Sequence, residues 1–153
     1  MPVTPPAPPN LNLLPHVTAL YVEFHTNDDD KDQDTVLTVS FATRGKVWAS
    51  FHPPDTGVWV DSYGQTGDDY SDGKSGPLYP VPLTGSLLKA DLHQSTTTVR
   101  IDPNGHDTWR FDYNVVAQYS DGTREQFKFW GHALSQNVRE NTFALNAPAS
   151  VAG

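Results

Sequence analysis

Apolar residues alternate with polar ones along most of this chain, and this period of two constrains the fold more than any other feature. In the longest run, every second residue is apolar: Trp109, Phe111, Tyr113, Val115, Ala117 and Tyr119. Successive side chains of a β-strand point to opposite faces of its sheet, so the run predicts a strand with one buried and one solvated face. No window of ten residues shows a helical period, and we therefore expect an all-β protein.

Shorter alternating runs predict further strands and a set of core residues. The expected core consists of Leu20, Val22, Phe24, Leu37, Val39, Phe41, Val99, Ile101, Phe111 and Tyr113. Leu88, Ala90 and Leu92 alternate in the same way and predict one more strand. Residues 137–145 supply an edge strand, with Phe143 and Leu145 pointing inward.

Turn sequences separate these runs. The clearest are Arg44-Gly45-Lys46, Pro103-Asn104-Gly105 and Ser120-Asp121-Gly122-Thr123. About eight short strands with turns between them favour a single antiparallel β-sandwich. A chain of 153 residues is long enough for one domain with a substantial core.

Composition sets the domain limits. Residues 1–15 contain six prolines and predict an extended arm or linker, residues 16–147 form the sandwich, and residues 148–153 are a C-terminal tail. The chain has no cysteine, which excludes disulfides, a thiolate nucleophile and cysteine-based zinc sites.

Charge and hydropathy exclude two classes of partner. Eighteen acidic residues against ten basic ones give a formal charge of -8, which argues against nucleic acid. No apolar stretch approaches the roughly 18 residues of a membrane-spanning helix. The first residues lack the basic and apolar regions of a secretory signal. The compartment stays open, with an extracellular one favoured if calcium is bound.

An acidic run lies between the first two predicted strands and is the first candidate site. Asp28, Asp30, Asp32 and Asp34 occupy alternating positions, and oxygen ligands of this kind are what Ca²⁺ takes. The run is not an EF-hand, because Gln33 stands where that loop needs glycine and Val39 where it needs glutamate. The alternative is a solvated acidic turn.

Two further acidic segments extend this hypothesis. Asp102 ends one predicted strand and Asp107 precedes the next, so their connection is expected at the same pole as the first loop, where it adds metal ligands. Ordinary turn chemistry is the alternative for this pair. Residues 68–73 offer a possible second ion site, or only a wet loop.

Aromatic residues in and beside the long polar connection, residues 62–77, are candidates for ligand binding. Trp59, Tyr63 and Tyr70 lie where a core does not need them, and exposed aromatic rings stack on sugars or enter membrane interfaces. Catalytic motifs are absent from the sequence, although a pair of carboxylates that meet only in space is not excluded.

Two stretches together resemble the PLAT/LH2 family of β-sandwich domains, which are related in shape to C2 domains. The first is residues 17–41, with Thr-x-Asp-Asp-Asp-Lys-Asp-x-Asp-Thr between two strands, and is similar to that family's first hairpin. The second is residues 99–115, in which an Asp- and Gly-rich loop leads into a strand that begins Thr-Trp. The resemblance implies an eight-stranded sandwich with Ca²⁺ at one pole and a binding role toward lipid, protein or carbohydrate.

These features lead to one hypothesis and two rivals. We expect a non-catalytic, calcium-binding β-sandwich that binds carbohydrate, a lipid surface or protein. The alternative is a structural or assembly module of a larger particle, toxin or adhesin, with solvated acidic loops. The second rival hypothesis is a small hydrolase.

Overall fold

The computed structural model describes residues 14–27, 31, 35–53, 59–60, 66–67, 78–103, 105 and 107–146. The predicted N-terminal arm, apart from Leu14 and Pro15, and residues 147–153 lie outside this part of the chain. The elements are β1 (Val17–Thr26), β2 (Val36–Thr43), β3 (Lys46–Phe51), β4 (Trp59–Val60), β5 (Thr66–Gly67), β6 (Tyr79–Pro80), α1 (Lys89–Leu92), β7 (Ser95–Asp102), β8 (Thr108–Tyr119), β9 (Arg124–Ser135) and β10 (Glu140–Ala144).

Eight of the strands form two antiparallel four-stranded sheets, which confirms the predicted β-sandwich. Sheet I has the order β6-β1-β8-β9, and sheet II has the order β10-β7-β2-β3. Strands β4 and β5 form a separate two-stranded pair. Among the described residues, no helix is long and apolar enough to cross a membrane.

The alternating pattern located the core correctly. All ten predicted core side chains are buried, and the most exposed of them, Leu37, retains only 3% of its surface. Phe143 and Leu145 also point inward, as expected for the edge strand β10. Each such side chain contributes about 1.5–3 kcal/mol when it leaves water, so this interior is the main source of stability.

An aromatic cluster fills the centre of the sandwich. Phe24 packs against Trp109 with ring centroids 5.1 Å apart and stacks on Tyr113 at 5.0 Å. The Tyr113 hydroxyl and Thr97 Oγ1 are 2.7 Å apart and form a buried hydrogen bond between the two sheets. Burial raises the pKa of Tyr113, so its hydroxyl keeps its proton.

Tight turns close the sequential hairpins. Arg44 and Gly45 join β2 to β3 with φ angles of +52° and +79°, the sign pattern of the type I′ turns that suit two-residue hairpins. Between β8 and β9, the Asp121 carboxylate accepts hydrogen bonds from the backbone and hydroxyl of Thr123. These contacts lower the pKa of Asp121.

The strand predicted from Leu88, Ala90 and Leu92 is wrong. Residues 89–92 form the single-turn helix α1, with hydrogen bonds from Leu92 N to Leu88 O and from His93 N to Lys89 O. Leu92 is buried whereas Ala90 is exposed, so the three residues do not share one face. Three alternating residues are too few to separate a strand from a helical turn, and here the chain turns as it passes from sheet I to sheet II.

The expected first hairpin is also wrong. Strands β1 and β2 do not pair with each other, because β1 belongs to sheet I and β2 to sheet II. Residues 27–35 therefore join a strand of sheet I to a strand of sheet II. A sequence shows two neighbouring strands and the length of their connection, but both a hairpin and a crossover satisfy that pattern.

Candidate functional site

The two predicted acidic connections lie at one end of the sandwich, which we call the acidic pole (residues 27–35 and 102–107). Val36, at the start of β2, pairs with Asp102, at the end of β7. In sheet I, the last residue of β1 pairs with Phe111, and Asn27 N donates to Arg110 O. Both connections consequently pass from one sheet to the other at this end.

The predicted metal ligands divide into two groups. Asp28, Asp30, Asp32 and Asp34 lie outside the described residues. Asp107 is described and only 9% exposed, and its Oδ2 accepts a hydrogen bond of 2.7 Å from Thr35 Oγ1. This bond joins the two acidic connections directly.

Asp102 has positively charged neighbours. Its Oδ1 lies 3.0 Å from Arg100 Nη2 and 3.7 Å from Arg139 Nη1. Hydrogen bonding to Asp102 and its negative charge raise the pKa of Arg100. The two arginines compete with a metal ion for this carboxylate. In the described part of the chain, no three His, Asp or Glu side chains group around a possible metal position.

Lys31 brings a positive charge into the middle of the acidic run. Its side chain is 1% exposed, and its Nζ donates to the Thr35 carbonyl oxygen at 3.0 Å. Burial of an ammonium group is costly unless polar groups surround it. The chain thus supplies a cation of its own to the acidic pole, a role that the sequence reasoning did not assign to Lys31.

The predicted ligand-binding aromatics are mostly outside the described structure. Tyr63 and Tyr70 lie there, and for Trp59 only the backbone, in β4, is described. Among the aromatic side chains that the structure does describe, Trp130 alone is exposed, at 66%.

A β-bulge between β8 and β9 holds Trp130 on the outer face of sheet I. Phe111 pairs with His132 and Tyr113 with Phe129, so Asp112 faces two residues, Trp130 and Gly131. Gly131 has a φ of +68°, which favours glycine. The Gly131 N–H donates to Asp112 Oδ1 at 2.7 Å, and Asn27 Nδ2 donates to the same oxygen at 3.2 Å.

Trp130 borders a shallow groove on this face, which we call the Trp130 groove. Its volume is about 340 Å³, near the lower end of ligand sites at about 300–1,000 Å³. Phe24 and Tyr113 line it together with the polar or exposed residues Glu23, His25, Asp112, Asn114, Lys128 and Trp130. They come from three neighbouring strands, on which Glu23 pairs with Asn114 and Asn114 with Lys128.

Asn114 forms a polar floor in this groove. Its residue is 9% exposed, and its Nδ2 donates to Glu23 Oε1 at 2.6 Å. This bond fixes which amide atom is the nitrogen. The amide oxygen, Oδ1, is buried and has no hydrogen-bond partner in the structure. A buried acceptor of this kind costs about 1–3 kcal/mol when it is left unsatisfied.

A second charged cluster lies at the opposite end of sheet I. Glu125 is buried, and its Oε1 accepts a hydrogen bond of 2.8 Å from His93 Nε2. Lys89 Nζ lies 3.7 Å from the same oxygen. Lys89 also lies over the Tyr119 ring, and burial raises the pKa of that phenol. These contacts attach α1 and the residue that follows it to β8 and β9, which gives the cluster a structural role.

Two sequence signals could have identified the groove. Phe127 and Phe129 occupy odd positions on the inner face of β9, whereas Leu134 is buried at an even position. This change of parity requires one extra residue between them, and Gly131 is the residue that tolerates a bulge. The shift of the apolar residues from odd to even positions along β9 therefore indicates a bulge beside Trp130.

Comparisons with known proteins add no relationship to this description. No protein-family model matches the chain, and neither the curated proteins nor the solved structures give a significant match.

Proposed function

We propose that this chain is a non-catalytic β-sandwich module that binds a ligand on its surface, in the Trp130 groove. The observation that carries this proposal is Trp130, a large ring that is 66% exposed beside polar side chains of three neighbouring strands. Its position is fixed by a bulge, because Asp112 binds the Gly131 N–H. Bulges commonly direct side chains beside functional sites.

A binding role fits the groove better than catalysis. Its two carboxylates are both engaged by protein donors, Glu23 by the Asn114 amide and Asp112 by Gly131 and Asn27. These bonds maintain the shape of the sheet. The groove is also shallow and solvated, whereas catalysis gains from groups that are held in a site from which water is excluded.

Calcium binding remains part of the proposal, and it rests on Asp28, Asp30, Asp32 and Asp34. The buried Lys31 offsets part of their charge, yet with Asp29 the run has five carboxylates against one ammonium, which leaves an excess of negative charge. Kinship with the PLAT/LH2 family is likewise proposed, and it rests on the sequence resemblance of residues 17–41 and 99–115. Thermal unfolding in EDTA and in Ca²⁺ tests the metal.

A comparison of three proteins tests the binding role: the wild type, Trp130→Ala and Val47→Ala. Val47 is a matched control, since it is 60% exposed on β3 in the other sheet. The probes are a glycan array and vesicles of phosphatidylcholine with or without phosphatidylserine, all with Ca²⁺ present. We expect binding that Trp130→Ala reduces and Val47→Ala does not.

Two results would contradict the proposal. Equal binding by all three proteins would place the ligand outside the groove. If the wild type binds none of the probes, the result would favour the structural or assembly module. Cleavage of a bound oligosaccharide that requires Glu23 and Asp112 would instead support the hydrolase reading.

A further inference from the structure

We infer that the ligand of the Trp130 groove is a neutral saccharide. This inference rests on the proposed function and specifies the chemical class that the groove recognises. Three properties of the described side chains lead to it: an exposed ring, a buried acceptor without a partner, and an excess of acidic over basic groups.

The ring supplies the apolar part of the recognition. One face of a sugar ring carries C–H groups, and a tryptophan surface binds such a face while its own polar edge stays wet. Lys128 Nζ lies 5.7 Å from the centroid of the Trp130 ring. The ammonium lies over one face of the indole, so a saccharide would stack on the opposite face.

The floor of the groove supplies the directional part. Asn114 Oδ1 lacks a donor among the described residues and lies just beneath the groove surface, so a ligand hydroxyl that displaces the side chain above it supplies one. The neighbouring Glu23 carboxylate accepts from the same amide and can take a second hydroxyl. Because strands lie about 4.8 Å apart, the row from Glu23 through Asn114 to Lys128 spans roughly 10 Å.

Charge selects a neutral saccharide over anionic ligands. Among the described residues that line the groove, Glu23 and Asp112 are the carboxylates and Lys128 is the only fixed cation. The whole chain carries a formal charge of -8, so phosphate, sulfate and anionic lipid headgroups meet net repulsion. Hydroxyl groups, which both donate and accept, fit this mixture without a charge penalty.

Titration with soluble neutral oligosaccharides tests the inference directly. The panel contains gluco-, manno-, xylo- and galacto-oligosaccharides, with sulfated oligosaccharides and phosphatidylcholine vesicles as the competing classes. We expect saturable binding of at least one neutral sugar. Trp130→Ala should weaken that binding by about 30-fold, the effect of losing a central aromatic contact.

Glu23→Gln and Val47→Ala complete the set of variants. Glu23→Gln keeps the size of the side chain and removes the charge, so we expect weaker binding of the neutral sugar by several-fold. Val47→Ala should bind like the wild type. Monodeoxy analogues of the bound sugar should lose affinity at one position in particular, where a hydroxyl meets Asn114 Oδ1.

Different experimental results would overturn this inference and the proposed function. Trp130-dependent binding to vesicles or sulfated sugars, without neutral sugars, would overturn the saccharide assignment and leave the groove as the ligand site. Binding that Trp130→Ala does not weaken, or no binding by the wild type, would overturn both the saccharide assignment and the proposed function. Trp130 is exposed, so its alanine variant should fold and carry the test even if Glu23→Gln does not.

Discussion

Replacing Gly131 with alanine should strain the bulge that holds Trp130 without creating a steric clash. Gly131 has a φ of +68°, and in the described part of the chain no neighbouring heavy atom lies within 4 Å of the position that an alanine Cβ would take. The cost is therefore conformational, about 1–2 kcal/mol for a left-handed residue that is not glycine. Alanine also lowers the conformational entropy of the unfolded chain, which stabilises the folded state by about 0.4–1 kcal/mol.

The net destabilisation should be about 1 kcal/mol. For a domain of this size, that corresponds to a fall in Tm of about 2–4 °C. Gly85→Ala is a matched control, because Gly85 has a φ of +84° and equally open surroundings. Urea unfolding should give similar free-energy changes for the two variants.

Only Gly131→Ala should change the surroundings of Trp130. In ¹⁹F NMR of protein labelled with 5-fluorotryptophan, the Trp130 resonance should shift in this variant and stay in place in Gly85→Ala. The reasoning is refuted if Gly131→Ala is as stable as the wild type. It is equally refuted if the Trp130 resonance responds to both variants alike.

Three further predictions concern the core, a histidine and the acidic pole. Tyr113→Phe should cost about 1–3 kcal/mol in urea unfolding, because it leaves the buried Thr97 hydroxyl without its partner; a cost that adding Thr97→Val does not reduce would contradict this. Burial lowers the pKa of His132, so the unfolded chain takes up a proton first as the pH falls through about 6.5, and stability falls with it. His132→Gln should reduce this loss, and an unchanged pH profile would exclude the effect. Ca²⁺ at about 100 times its Kd should add about 2.7 kcal/mol of stability, and Asp30→Asn or Asp32→Asn should remove most of that gain; identical melts of the wild type in EDTA and Ca²⁺ would refute the metal site.

Much of the fold could be predicted from the sequence because burial imposes a period that the chain must follow. All six residues of the ladder from Trp109 to Tyr119 are buried, as is each predicted core residue, but Asn114 and Val116 on the opposite face of β8 are buried as well. The partners of each strand leave no such mark. Residues 27–35 satisfy a hairpin and a crossover equally well, and only the pairing of β2 with β7 decides between them.

The candidate site was harder to predict, for two physical reasons. Trp130 lies at a break in the alternation, so a strict period assigns it no face. Asn114 lies on the outer face of β8 but is buried, and its amide is bonded to Glu23 from a distant part of the chain. Contacts of this kind arise from register across strands, which a local pattern does not contain.

The burial of Lys31 makes its amine a chemical reporter of the acidic pole. Lys46 and Lys128 are exposed, whereas Lys31 keeps 1% of its surface and is bonded to the Thr35 carbonyl. An amine-specific reagent should modify Lys46 and Lys128 without any opening of the fold, and Lys31 only when the pole opens. The rate at which Lys31 is labelled then measures how often the two sheets separate at this end, without any ligand having been identified.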